Sequence, residues 1–170
     1  MTSLDTLLAS LPQRGQVTWM GVRAARREPL VTVEEVDVRI GTGLTGDRFS
    51  GNAASTRQVT FIQAEHLDVV ASVMGLSAID PALLRRNVAV RGINLLSLIG
   101  AHFQIGPVVF EGTGRCHPCS RMEEYLGPGG YNAMRGHGGL TARVLQPGVM
   151  RIGDSVQLIR PGKLGNEERE

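Results

Sequence analysis

The sequence predicts a mainly β fold, a closed or half-closed β-barrel carrying a few peripheral α-helices. Three observations support this. Glycine is frequent, at 22 of 170 residues, while aromatic residues make up only 4%, and glycines at short intervals suit many tight turns and bulges. Strand-like runs outnumber helical ones along most of the chain. Two segments also echo each other: His102 to Phe110, with its Ile105-Gly106 turn, and Val149 to Leu158, with Ile152-Gly153. Each reads as strand, turn, strand, and repeated hairpins favour barrel closure.

The elements follow in order. Leu4, Leu7, Leu8 and Leu11 recur at helical spacing, and Pro12 and Gly15 end that helix, giving a helical extension over residues 1–15. Gln16 to Arg23 and Leu30 to Ile40 read as strands, joined by the turn Arg26-Arg27-Glu28-Pro29. A glycine-rich loop, Gly41 to Arg48, runs on into Ser50-Gly51-Asn52, whose composition predicts mobility. Gln58 to Ile62 is a short strand. Leu67, Val70, Ala71 and Met74 then mark one face of a helix that Gly75 terminates. Pro81 opens a helical turn, and Arg85-Arg86-Asn87 leads into the strand Val88 to Val90. The rest is mostly strand, with a helical excursion around residues 120–135. The domain proper is expected over residues 16–160, with a polar, loose tail at 161–170.

Composition narrows the function. The length suits one domain with its own core, and hydrophobic and charged contents of 42% and 20% are those of an ordinary globule. A net charge of +2 gives no case for a nucleic-acid or membrane partner. The N-terminus carries Asp5 and no basic stretch, so it does not read as a signal peptide. Two cysteines are too few for a disulfide framework. A cytoplasmic protein is the expectation. No Gly-x-Ser-x-Gly elbow supports a serine hydrolase, and the glycine-rich loop lacks the lysine of a P-loop. Glu34-Glu35 and Glu123-Glu124 are adjacent pairs whose side chains diverge, so neither makes an acid–base couple.

The chemistry concentrates in Gly114-Arg115-Cys116-His117-Pro118-Cys119-Ser120-Arg121, which holds both cysteines between a strand-like and a helix-like run. Free N–H groups at a helix start, with Arg115 and Arg121 alongside, favour a thiolate at Cys119. A thiolate is a nucleophile, a redox group or a soft-metal ligand; a buried cysteine can instead be a small hydrophobe. Cys116 is expected to support the loop. A thioredoxin-like pair lacks the surrounding βαβ pattern, and a zinc site from Cys116, Cys119, His117 and His137 lacks ligand spacing in its second half. Strand alternation would set Arg85 and Asn87 on one face and Arg86, as a solvated residue, on the other. Arg85 can then clamp an anion bidentately, and Asn87 can donate and accept at a heterocycle edge. Arg48, after its glycine-rich approach, resembles part of an anion cradle. The glycines of Gly136-His137-Gly138-Gly139 permit close approach to a ligand, while His66 reads as a solvated helix position.

Five segments in order carry a resemblance: Gly46-Asp47-Arg48; Leu84-Arg85-Arg86-Asn87-Val88; Ile105-Gly106-Pro107-Val108; Cys116-His117-Pro118-Cys119; and Pro147-Gly148-Val149-Met150-Arg151-Ile152-Gly153-Asp154. Together they resemble the MOSC domain family, named for the C-terminal domain of molybdenum-cofactor sulfurase. The likeness spans residues 16–160. It implies a barrel resembling that of pyruvate kinase and a pocket for the molybdenum cofactor, a molybdopterin. Cys119 would be the metal ligand and catalytic residue. Arg85, Asn87, Arg48, His117 and Arg115 would be cofactor contacts. The implied activity is reduction of N-hydroxylated compounds. With no flavin or iron–sulfur motif in the chain, electrons would come from an external redox partner, a flavoprotein or a ferredoxin-like protein. The alternative is a non-catalytic carrier that delivers cofactor, or persulfide sulfur on Cys119, to an accepting enzyme.

Overall fold

A computed structural model describes residues 2–162. Its elements are α1 (Leu4–Ala9), β1 (Gly15–Val22), β2 (Val31–Thr32), β3 (Glu35–Arg39), β4 (Gly43–Leu44), β5 (Val59–Gln63), α2 (Ala64–Met74), a 3-10 turn (Pro81–Leu84), β6 (Val88–Arg91), a second 3-10 turn (Leu95–Leu98), β7 (His102–Ile105), β8 (Val108–Arg115), α3 (Arg121–Leu126), α4 (Gly130–Met134), β9 (Leu140–Gln146), β10 (Gly148–Arg151) and β11 (Ser155–Arg160). The expected mainly β barrel is present. Strands pair in the order β11-β7-β8-β9-β5-β6-β1, and β1 pairs back with β11 to close a seven-stranded barrel. Closure leaves no edge in the ring, which removes the hazard of unpaired strand edges. Within the ring, β5 and β6 run parallel while the other pairs are antiparallel.

The barrel fills with alternate side chains. Phe61, Phe103 and Phe110 meet inside it with ring centroids 5.3–5.6 Å apart, two contacts edge-on and one stacked. Three of the four phenylalanines thus serve one cluster, packed with Met20, Val88, Leu140 and Val156. The next residue along each of two strands, Ile62 on β5 and Ala89 on β6, faces outward into a second cluster with Val70, Leu84, Met122 and Met134. That cluster docks α2, α3 and α4 on one flank of the barrel and so fixes where α3 begins.

Three expectations need correction. The Val149 to Leu158 echo is not a hairpin. β10 pairs with β3, and β11 pairs with β7 and β1, so Gly153 (φ 90°) marks a corner where the chain passes between sheets. The glycine-rich loop is tied down: the Gln58 amide donates to the carbonyls of Asn52, Ala53 and Ser55, and its oxygen accepts from Gly41 and Val144. The N-terminal helix, capped by Ser3 and with none of its residues buried, is shorter than the leucine spacing suggested: it ends at Ala9, leaving Leu11 beyond it, and Gly15 already opens β1. Most of the tail expected to be loose lies outside the described residues. No helix among those described is long and apolar enough to cross a membrane.

Candidate functional site

Strand register gathers the site. Met20, Val88, Phe61, Leu140 and Arg115 lie in one row across β1, β6, β5, β9 and β8. Short steps along the chain from this row lead to Arg23, Arg85 to Asn87, Arg57 to Thr60, and the cysteine turn. These segments surround a cavity of about 560 Å³, whose lining includes Arg23, Arg48, Arg57, Arg85, Arg86, Asn87, His117 and Cys119, with Asp47 as its carboxylate. Five guanidinium groups around one carboxylate make an anion-attracting hollow.

Cys119 stands at its wall. The Cys119 carbonyl accepts from Met122 N–H at 2.9 Å, opening the first turn of α3. Arg85 Nη1 donates to Cys119 Sγ at 3.3 Å. Partial burial pushes the thiol up, but the Arg121 backbone N–H, the charge and hydrogen bond of Arg85, and the charge of Arg86 together hold it below the ordinary thiol range. Arg85 can reach the sulfur because it does not sit in a strand. It ends the 3-10 turn in the left-handed region at φ 61°, an uncommon conformation for a non-glycine residue and one associated with functional sites. The Nε atoms of Arg23 and Arg85 are buried without a hydrogen-bond partner among the described residues.

Arg86 departs from the expectation of a solvated residue on the far face. It is only 2% exposed, and its guanidinium donates to the carbonyls of Leu84 (2.8 Å), Gly138 (2.8 Å), Cys116 (3.1 Å) and His117 (3.2 Å). Arg86 therefore staples the cysteine turn to the 136–139 loop. The alternation argument fails because β6 starts only at Val88. Asn87, 8% exposed, is also heavily engaged. Its Oδ1 accepts from Thr60 N–H and hydroxyl, and its Nδ2 donates to Gly21 O. The second Nδ2 hydrogen has no acceptor among the described residues, which leaves Asn87 one donor for a ligand.

Arg48 is placed by its neighbour. Asp47 accepts from the backbone N–H groups of Arg23 (2.9 Å) and Phe49 (3.4 Å), and Arg48 N–H donates to Arg23 O. This exchange docks the loop on the end of β1 and brings both arginines to the cavity. Crowding shows on Arg23, whose guanidinium is pulled below its usual range by burial and by the charges of Arg85 and Arg48. His117 lines the cavity with an exposed side chain. Arg115 does not line it. As the last residue of β8 it is exposed and borders a separate small crevice, so the grouping with the other candidate contacts is corrected. Sequence reasoning missed Arg23 and Arg57, isolated arginines that no local motif marks.

Cys116 is buried and unoxidised, and Arg57 Nη2 donates to its sulfur at 3.5 Å. The imagined zinc set does not assemble: no group of three or more His, Cys, Asp or Glu fit for a metal ion exists among the described residues. His137 instead packs edge-on against His66, ring centroids 4.7 Å apart, which corrects the solvated reading of His66. Burial, then His137, lowers the His66 pKa, with Glu65 opposing. Gly138 and Gly139 serve close backbone contact, while Gly136 (φ 80°) faces open space. A Cβ on Gly138 would collide with Cys116 O, and one on Gly139 (φ 95°) with Phe61 O. Gly138→Ala is accordingly expected to cost about 2–3 kcal/mol. Thermal denaturation should register this as a Tm about 5–10 °C lower.

The closed barrel is the fold to which the comparisons point. A family model for the MOSC domain matches residues 25–157, and the chain belongs to that family. Its fold is similar to the YuaD protein from Bacillus subtilis, with a TM-score of 0.74 at 21% identity over 86% of this chain and 96% of that one. It is also similar to YiiM from Escherichia coli (TM-score 0.67, 16% identity, 89% of this chain and 72% of that one). YiiM from Geobacillus stearothermophilus gives a TM-score of 0.68 at 20% identity, over 85% of this chain and 75% of that one. No curated protein sequence matches.

Proposed function

We propose that this protein binds the molybdenum cofactor in the arginine-lined cavity through Cys119 and reduces N-hydroxylated compounds with electrons from a separate donor. The observation that carries this reading is the Arg85–Cys119 contact at the wall of a roughly 560 Å³ hollow ringed by five arginines. The residues fit the group. A thiol held toward its ionised form is a suitable soft donor. Buried guanidinium nitrogens without partners suit a phosphate and an electron-rich heterocycle. Arg23, Arg48 and Arg57 would hold the anionic end, Arg85 would stand between it and the sulfur, and the spare Asn87 N–H would meet the ring edge.

When bound, the cofactor supplies two-electron oxygen-atom chemistry. The net reaction is R–NHOH + 2 H⁺ + 2 e⁻ → R–NH₂ + H₂O, the electrons arriving from a flavoprotein or ferredoxin-like partner. The chain's own work is to anchor, orient and set charge. The test is molybdenum content of protein purified from cells that make the cofactor. Wild type should approach one metal per chain and Cys119→Ser should carry less than about a tenth of that; equal contents would sink the ligand assignment. Turnover of an amidoxime with a reducing system separates enzyme from carrier, since metal without turnover favours the carrier.

A further inference from the structure

Two histidines meet outside the arginine-lined hollow. His66 lies in the first turn of α2, and His137 lies in the loop that follows α4. Their rings touch edge-on with centroids 4.7 Å apart. Both residues are half-buried, and His137 Nδ1 is buried with no hydrogen-bond partner among the described residues. Neutral rings suit this contact. An imidazolium carries N–H on both nitrogens, so a charged His137 strands a buried donor. With His66 charged as well, two cations stand at close range.

The surroundings do not neutralise such a pair. Glu65 is the carboxylate that acts on His66, and its oxygens already accept from Gly92 N–H and the Gln63 amide. Asp68 is two positions along α2 from His66, and residues so spaced do not share a helix face. The chain beside the pair presents Asn94, Leu95 and Leu96, none of them charged. Arg91, at the end of β6, turns to Gln16. α4 carries no charged residue. Arg135 follows it, and Arg115 and His117 border the crevice beside Gly136 and Gly138, so on the loop's side every ionisable group is basic.

The loop matters for what it holds. Gly138 O accepts from Arg86 Nε at 2.8 Å, and Gly139 O accepts from Cys116 N–H at 2.8 Å. The same guanidinium holds the carbonyls of Cys116 and His117, two residues short of Cys119. His137 is therefore one residue from the carbonyl that seats Arg86.

We infer that His66 and His137 form an acid-sensitive latch on the cysteine segment. With both rings neutral, α2 clamps the 136–139 loop. With both protonated, repulsion and the stranded Nδ1 donor part them, the loop lifts from Arg86 and Cys116, and the segment bearing Cys119 slackens. The direction follows from burial. The fold holds His66 below its ordinary value of 6.5, by burial first and then by His137. Its contribution to stability is complete above that value and is lost as pH falls through the folded one. The latch does not depend on which ligand the hollow takes.

Amide hydrogen exchange at Cys116, whose N–H donates to Gly139 O, reads the latch. Corrected for the intrinsic pH dependence of exchange, its protection in wild type should fall about tenfold between about pH 7.5 and about pH 5. His66→Gln and His137→Gln cannot ionise and should hold it nearly constant. Unchanged protection in wild type overturns the latch, as does an equal fall in both variants. So does a parallel fall at Val17, whose N–H donates to Asp154 O elsewhere in the barrel, because that reports global acid unfolding. Should a variant fold poorly, NMR titration of the two imidazoles in wild type decides. Inflections that coincide with the change at Cys116 support the latch; inflections with no change there refute it.

Discussion

Arg86→Met should lower unfolding free energy by about 3–5 kcal/mol, the range seen when a buried charged network loses one partner. Replacing a buried ion pair with hydrophobes can be neutral, because both charges leave together. Arg86 differs. Its partners are four backbone carbonyls, at Leu84, Cys116, His117 and Gly138, and they remain when the side chain is removed. Each buried carbonyl left unsatisfied costs about 1–3 kcal/mol. The gain from no longer burying a guanidinium offsets part of this, since burial already pulls Arg86 below its usual range. The carbonyl side of the balance wins because four acceptors are stranded against one charge released. Urea denaturation should show the midpoint falling by about 2 M with an unchanged slope. Arg86→Lys should recover little, as an ammonium is a point donor that cannot span two loops. A loss under about 1 kcal/mol would show that the staple is dispensable.

The same residue shows where a sequence can and cannot be read. Barrel class was legible because glycine spacing and alternating runs report directly on turns and pleats. α2 was legible because its apolar stripe and Gly75, at φ 70°, are local signals. Cys119, Arg85, Asn87 and Arg48 stood out as short motifs, the family resemblance added His117, and all five line one cavity. Arg86 looked like a solvated neighbour because three of its four acceptors come from loops 30 to 52 positions away, which no window of sequence contains. Arg23 and Arg57 escaped for the same reason: barrel closure, not spacing, brings them to the site. The false hairpin at residues 149–158 failed differently. A strand–Gly–strand pattern fixes two strands and a bend, but pairing depends on what else competes for the edges. Here β3 takes β10, and β7 with β1 takes β11.

Arg85→Met should slow alkylation of Cys119 by iodoacetamide several-fold at pH 7 and move the inflection of its pH–rate profile upward, toward the ordinary thiol value of about 8.5. The sign follows from the thiolate being the reactive species. Burial raises the Cys119 pKa; the Arg121 N–H and the two guanidinium groups lower it further than burial raises it. Taking away Arg85 removes both a charge and the 3.3 Å hydrogen bond, leaving burial opposed by less. At pH 10 both proteins are ionised, and the variant should match or exceed wild type, because a more basic thiolate is intrinsically more nucleophilic. The crossover separates a pKa effect from simple occlusion, which would slow the reaction at every pH. Cys119→Ser gives the background from Cys116, which at 1% exposure should be slight. Stability carries the same linkage. A depressed thiol pKa contributes stability above the unfolded value, and this is lost as pH falls through the folded one. Wild type should therefore gain on Arg85→Met in unfolding free energy as pH rises from 7 to 9. Parallel pH profiles, in rate or in stability, would mean that Arg85 does not govern the charge on this sulfur.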